Sequence, residues 1–352
     1  MSGGRQSSLD ELSVAVVIPC RNAAHTIVGC LNSLVPLGSE ITEVVVVDDG
    51  SDDDTANIAL SLASTWSAPL LLLRLAESVG PARARNIGAA SCSAELVLFL
   101  DSDVEMISDT VRPMLELMAT GRFAGVTALY ATVSRQPGVL AQFQSYYANW
   151  AFRNVDATNS PYYGTQCGLI SRKLWEAVHG FDQNFREATV EDFDLGVRLR
   201  ARGHALAVST DTLVVHNHRY SGRDWLRNYF RKAAMLARII RRYPSSDLVG
   251  TGYLQVRSAL AAGCIVVGVA MSAWTLSGRW FAMAVGTILV VAGVAGWWDF
   301  LSGAGRAVGW SRAVVFGFLR LTVFGLGLMG AIAGVIVAVR DDSLHGDGLP
   351  RP

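Results

Sequence analysis

The chain has 352 residues, and its 30 basic and 30 acidic side chains cancel. That balance argues against nucleic acid as a partner, which a net positive field would serve. Apolar residues make up 51% of the sequence, and the excess is gathered after about residue 245. The five cysteines (Cys20, Cys30, Cys92, Cys167, Cys264) are odd in number and unpaired in spacing. They predict reduced thiols in a cytosolic domain, not a disulfide framework or a zinc site.

Residues 1–13 read as a polar, disordered lead-in with no apolar core, and not as a signal peptide. Val14–Ile18 then runs into Pro19, Val44–Val47 into Asp48-Asp49-Gly50-Ser51, and Leu96–Leu100 into Asp101-Ser102-Asp103. Unbroken β-branched and leucine runs predict buried parallel strands. Helices are predicted between them over about Ala24–Leu34, Asp54–Ser64 and Ala82–Ala90, which makes βαβ units. In such sheets a ligand sits outside the carboxyl ends of the strands, so the three terminal segments converge on one crevice.

A second block, Gly121 to Tyr220, holds Gly164-Thr165-Gln166-Cys167-Gly168, a predicted helix over Arg172–Val178, and Gly180-Phe181-Asp182. Glu191-Asp192-Phe193-Asp194-Leu195 opens another helix, to Arg202, which Gly203 stops. Short strands over Leu206–Val208 and Thr212–Val215 lead to His216.

Past Tyr220, Trp225, Leu226, Tyr229, Phe230, Ala233, Leu236, Ala237 and Ile240 recur at helical spacing among six Arg and Lys residues. This predicts an amphipathic helix over 223–245 lying in a membrane interface. A surface helix packed on the chain's own core is the plainer alternative. Apolar runs over 256–276, 281–298 and 321–339 are each long enough to cross a bilayer. Arg320, at the entrance of the third, is expected to snorkel to the headgroups. The basic cluster belongs on the cytoplasmic side, so three crossings put the tail 340–352 on the far side. The expected organisation is a 14–222 domain, the 223–245 helix and a 256–339 membrane region in the inner (plasma) membrane, with the 14–222 domain in the cytoplasm.

Asp101 and Asp103, two residues apart on a turn, can hold a hard cation such as Mg2+ or Mn2+ against a diphosphate. Asp48 and Asp49 are turn formers, yet a carboxylate there can also accept from a base N–H or a ribose hydroxyl. Arg83 and Arg85 oppose the dipole of the helix they open, and a nearby anion would explain them. Glu191 and Asp192 suit a helix N-terminus, but one of them can also take a proton as a general base. His216 and His218, flanking Asn217, are candidates for metal or phosphate contact.

Several segments, taken in order, resemble the family-2 glycosyltransferases of GT-A fold across about residues 14–220. They are Val17-Ile18-Pro19 with Asn22, Val47-Asp48-Asp49-Gly50-Ser51-x-Asp53-x-Thr55, Ala84-Arg85-Asn86-x-Gly88, Phe99-Leu100-Asp101-Ser102-Asp103, Gly180-Phe181-Asp182, and Glu191-Asp192-x-Asp194-Leu195. The resemblance implies an α/β, Rossmann-like nucleotide-sugar-binding domain, followed here by the interfacial helix and three transmembrane helices. It implies a nucleoside-diphosphate sugar donor, a divalent metal and inversion at the anomeric carbon, with Asp192 as base. Donor contacts are expected from Pro19, Asp48, Asp49, Arg85 and Asp101, and metal contacts from Asp103, Asp101 and His216. Gly168, Glu191 and Trp225 are expected on the acceptor or sugar side.

The Gln-x-x-Arg-Trp motif of processive synthases has no match; His216–Arg219 and Arg223-Asp224-Trp225 come nearest. A single transfer to a lipid-linked glycan or glycolipid is therefore expected, with a polyprenyl-phosphate sugar synthase or a polysaccharide synthase as the alternatives. A dinucleotide-dependent oxidoreductase lacks its glycine turn, since Pro19-Cys20-Arg21-Asn22 follows the first strand. A non-catalytic scaffold would have shed the acidic residues, and all are present.

Overall fold

The computed structural model describes residues 12–63, 68–185, 187–244, 256–273 and 280–340. The expected lead-in and the tail after Arg340 lie outside them, apart from Leu12 and Ser13. The chain forms two compact units that meet in sequence at Tyr220 and Ser221.

The first unit runs β1 (Val14–Cys20), α1 (Ile27–Leu34), β2 (Glu43–Asp48), α2 (Thr55–Leu62), β3 (Leu70–Arg74), α3 (Pro81–Ala90), β4 (Leu96–Leu100) and β5 (Val104–Met106). It continues with α4 (Arg112–Ala119), β6 (Phe123–Tyr130), α5 (Val139–Arg153), β7 (Cys167–Ser171), α6 (Arg172–Ala177), α7 (Glu191–Ala201) and β8 (Ala205–His216). One eight-stranded sheet has the order β3-β2-β1-β4-β7-β6-β8-β5. The β3-β2-β1-β4 half is parallel, as the apolar runs require. β7 is antiparallel to β4 and β6, and β5 to β8, so the sheet is mixed.

Alternate residues of a strand face opposite sides, and both sides of the parallel half are covered. Val14, Val16 and Ile18 pack with Ile27, Leu31 and Leu34 of α1. Ala15 and Val17 pack with Ala82 and Ala89 of α3. A Cβ on Gly88 would strike Val17 Cγ1 and lie 3.1 Å from Val47 Cγ2, so this glycine lets α3 lie close against β1 and β2.

The two short strands expected before His216 are one strand, β8, whose pairing with β6 shifts register between Ala128 and Leu129. Helix α1 begins at Ile27 rather than Ala24, because Ala23 closes a turn with Thr26 and the Ala24 N–H is taken by Asp53.

The second unit is helical: α8 (Gly222–Arg242), α9 (Val256–Ala273), α10 (Trp280–Gly296), α11 (Trp298–Val308) and α12 (Trp310–Arg340). The expectation of three spans is supported only in part. Among the described residues one helix, over Trp310–Val337, is long and apolar enough to cross a membrane. The 281–298 run does not end in a link. It bends by 61° near Trp297 into α11, and the pair could count as one broken span. Most of the chain between the second and third apolar runs is thus helical.

Arg320 does not snorkel either. It is buried, donating from Nη2 to Ser258 Oγ at 2.7 Å. Its guanidinium lies 4.7 Å from the Trp297 ring centroid and 4.2 Å from that of Phe300, and cation–π contact offsets part of the desolvation.

Helix α8 has a protein partner. A Cβ on Gly330 would meet the Phe230 carbonyl and, at 3.0 Å, Ala233 Cβ; one on Gly334 would meet the Ala234 carbonyl. The matched steps, 230 to 234 and 330 to 334, make α8 and α12 parallel. Small residues let the two backbones approach this closely.

Candidate active site

The end of β2 is built from buried carboxylates. Asp48 is fully buried; its Oδ1 accepts from Ser51 N at 3.1 Å. Among the described residues its Oδ2 has no hydrogen-bond donor, and Arg74 Nε lies 3.6 Å away. Asp49 accepts three bonds from the segment before α3: Ser78 Oγ at 2.8 Å, Val79 N at 2.6 Å and Gly80 N at 3.0 Å. The neighbouring polar residues stitch turns together. Asn22, at φ +50°, donates from N to Ser51 Oγ and accepts from Asp52 N, while Asp53 takes the Ala24 and Thr55 amides. Pro19 lies half-buried beside Val47 on the neighbouring strand.

Helix α3 supplies the centre. Arg85 is buried and forks, with Nη2 to Asp101 Oδ1 at 2.7 Å and Nη1 to Glu191 Oε1 at 2.7 Å. Burial would lower its pKa, but the two carboxylates outweigh that and raise it. The anion expected near this helix start is therefore supplied by the chain itself, while Arg83 is exposed. Asn86 exchanges two bonds with the Phe181 backbone, donating to its carbonyl at 2.8 Å and accepting from its N–H at 2.9 Å. The Gly180-Phe181-Asp182 segment is thereby fixed to α3.

Beyond β4, the two aspartates separate in role. Asp101 turns to Arg85; burial pushes its carboxyl up against the pull of Arg85, and Asp103 adds to the rise. Asp103 turns to the end of β8, its Oδ2 lying 3.1 Å from His216 Nε2 and 3.3 Å from His218 Nδ1. Burial raises the Asp103 carboxyl, yet the two imidazoles overcome this and hold it well below the usual carboxylate range. Asp103, His216 and His218 offer ligand atoms within 4.8 Å of one another. Asn217 points elsewhere: its Nδ2 donates to Glu105 Oε1 at 2.6 Å and its N–H to the Asp103 carbonyl at 2.7 Å. This clamp holds β5 to β8, and Tyr220 Oη lies 3.3 Å from His216 Nδ1.

The geometry revises several expectations. Asp103 and His216 come together, but His218, not Asp101, completes their cluster. Glu191 is not open to an acceptor: it is buried, with Oε1 on Arg85 and Oε2 accepting from Thr189 N at 2.8 Å. Gly168 is an interior packing position, where a Cβ would strike the Gly164 carbonyl and lie 2.6 Å from Tyr163 Oη. Trp225 belongs to the second unit, buried and edge-on to Tyr229. Asp192 stays partly exposed at the first turn of α7, its Oδ1 accepting from Phe193 N at 2.8 Å. The roles of Asn86, Glu105 and Asn217 were not anticipated. Asn86 stood in a quoted segment, whereas nothing in local sequence marks Glu105.

A mixed sheet whose parallel half ends in carboxylates, next to an Asp–His–His cluster, is a Rossmann-like GT-A core. Residues 15–178 match the family model described as "Glycosyl transferase family 2". It is 28% identical over 284 residues to "Pre-mycofactocin glycosyltransferase" of Mycobacterium tuberculosis (strain ATCC 25618 / H37Rv), an overlap of 78% of this chain and 53% of that protein. The chain thus spans about half the length of that relative. Among solved structures it is similar to mannosyltransferase PcManGT from Pyrobaculum calidifontis in complex with GDP-Man and Mn2+. The TM-score is 0.57 at 18% identity, covering 94% of this chain and 87% of that one. S. aureus TarS 1-349 in complex with UDP-GlcNAc gives 0.50 at 17% identity, covering 93% and 92%. At those identities the likeness is one of fold.

Proposed function

We propose that the chain is an inverting, metal-dependent glycosyltransferase that moves a sugar from a nucleoside-diphosphate sugar to a hydroxyl of a membrane-associated acceptor. The observation that carries this is the Asp103–His216–His218 cluster at the carboxyl end of β4, in a domain that matches this family's model. A carboxylate oxygen and two imidazole nitrogens fit a divalent transition metal better than Mg2+, and Mn2+ is the ion expected. When bound there, the ion would offset the charge of the leaving diphosphate. PcManGT with GDP-Man and Mn2+ supports the same reading by fold.

On the donor side, Asp49 shapes the Ser78–Gly80 segment, and with Asp48 it marks the end of β2 where a base N–H or ribose hydroxyl is expected to bind. Pro19 is expected to border the same crevice. Asp192, partly exposed beside the buried Glu191, takes the proton of the acceptor hydroxyl as that oxygen attacks the anomeric carbon. The bond to the diphosphate breaks from the opposite face, which inverts the centre. The apolar helices hold the protein to the inner membrane with the catalytic unit in the cytoplasm, where nucleotide sugars are present. A lipid-linked glycan or glycolipid then meets it at the lipid surface.

The test is turnover by membranes containing the protein, with a panel of UDP- and GDP-sugars and lipid-extract acceptors, with and without Mn2+. Nucleoside diphosphate release that needs both Mn2+ and acceptor supports the reading. Full activity after exhaustive chelation rejects the metal role, and no turnover of any donor rejects the transfer.

A further inference from the structure

We propose that Arg85 is a positioning residue that fixes the Asp192 turn to the donor side of the site. The inference rests on the transferase reading above and deepens it. Arg85 stands on α3 and touches two carboxylates from distant parts of the chain. Asp101 follows β4, and Glu191 opens α7. Both contacts are 2.7 Å, the length of strong charge-assisted bonds. The guanidinium is buried, and its Cζ lies 5.7 Å from the Phe181 ring centroid. Phe181 is itself held by the next residue of α3, Asn86.

Glu191 is caught at both oxygens, one by Arg85 and one by the Thr189 N–H. A carboxylate restrained at both ends leaves its own turn little freedom. Asp192 is the next residue, and neighbours in a helix diverge by about 100°. Holding Glu191 inward therefore holds Asp192 outward. The rigid fork of arginine can satisfy two carboxylates in a fixed plane, which the point charge of lysine does not reproduce. The same cation that steadies Asp101, beside the metal cluster, steadies the base. In this arrangement Arg85 acts on the Asp192 turn through Glu191.

The experiment uses the full chain in detergent or nanodiscs, with Arg85→Lys and Glu191→Gln made singly and together. Hydrogen exchange of the Thr189–Phe193 amides is read first, with the β4 amides as the control for folding. Both single variants are expected to speed exchange at Thr189–Phe193 by about tenfold or more while β4 stays protected. Wild-type exchange there in both variants overturns the proposal. Binding of Mn2+ with UDP, and with GDP, is measured next; Glu191→Gln is expected to leave it within about twofold.

On the nucleotide sugar that the wild type turns over, the kcat losses of the two single changes are expected not to multiply in the double variant, as for residues in one network. Multiplying losses overturn the coupling. A wild type that binds neither nucleotide and turns over no donor sinks the transferase reading, while the exchange result still decides whether Arg85 holds the turn.

Discussion

At the residue scale, the site separates groups that sequence alone made look alike. Asp101 and Asp103 are two residues apart, but one faces an arginine and the other two histidines. His218→Ala should raise the Mn2+ concentration for half-maximal turnover by about tenfold or more, and Asp103→Ala should abolish Mn2+-dependent nucleotide binding. Both are read by titrating Mn2+ into chelated protein. Asp192→Asn keeps shape and removes basicity, so turnover should fall by about 10²-fold or more with donor binding retained. Loss of donor affinity with kcat preserved would move Asp192 to the donor side. Asn86 offers a stricter case. Asn86→Asp is nearly isosteric, yet it removes the donor to the Phe181 carbonyl and sets an acceptor against it. A buried carbonyl left without its donor costs about 1–3 kcal/mol, so the denaturation midpoint should fall for Asn86→Asp as well as for Asn86→Ala.

At the element scale, helix α3 is the part on which the others depend. Its Arg85, Asn86 and Gly88 reach α7, the Phe181 segment and the sheet, respectively. Gly88→Ala would drive a methyl into Val17 and Val47, and overpacking of that kind costs about 1–3 kcal/mol; thermal unfolding of the purified protein measures it. The parallel half of the sheet was legible because β1, β2 and β4 are buried on both faces and so read as unbroken apolar runs. β3 (Leu70–Arg74) passed unnoticed because its leucines stand at a half-exposed edge. β5 has three residues, too few to show a period. The clustering of His216 and His218 with Asp103 depends on the pairing of Val104 with His216, a contact between positions far apart in the chain that local pattern does not encode. Arg85 was legible as a cation wanting an anion, but the identity of that anion was set by tertiary contact.

At the scale of the whole molecule, charge and burial bear on how the helical unit meets lipid. On α8, Arg223, Arg227, Lys232, Arg241 and Arg242 are all exposed. Cations facing hydrocarbon are expensive, so the exposed charged side chains of α8 are expected to face headgroups or water. Because Gly330 and Gly334 are seated against Phe230 and Ala234, that part of α12 must stay beside α8. The apolar stretch of α12, 28 residues long, measures about 42 Å at 1.5 Å per residue, more than the ~30 Å of a bilayer core, so its last turns need not be immersed. A reporter fused after Pro352 that works only in the cytoplasm is expected to be active, the reverse of what counting apolar runs predicts. An inactive reporter would mean that the two helices part in the membrane. Gly334→Leu should loosen the seam and leave α8 open to protease. The glycine seam therefore acts as a fixed joint: wherever α8 lies, this part of α12 lies with it.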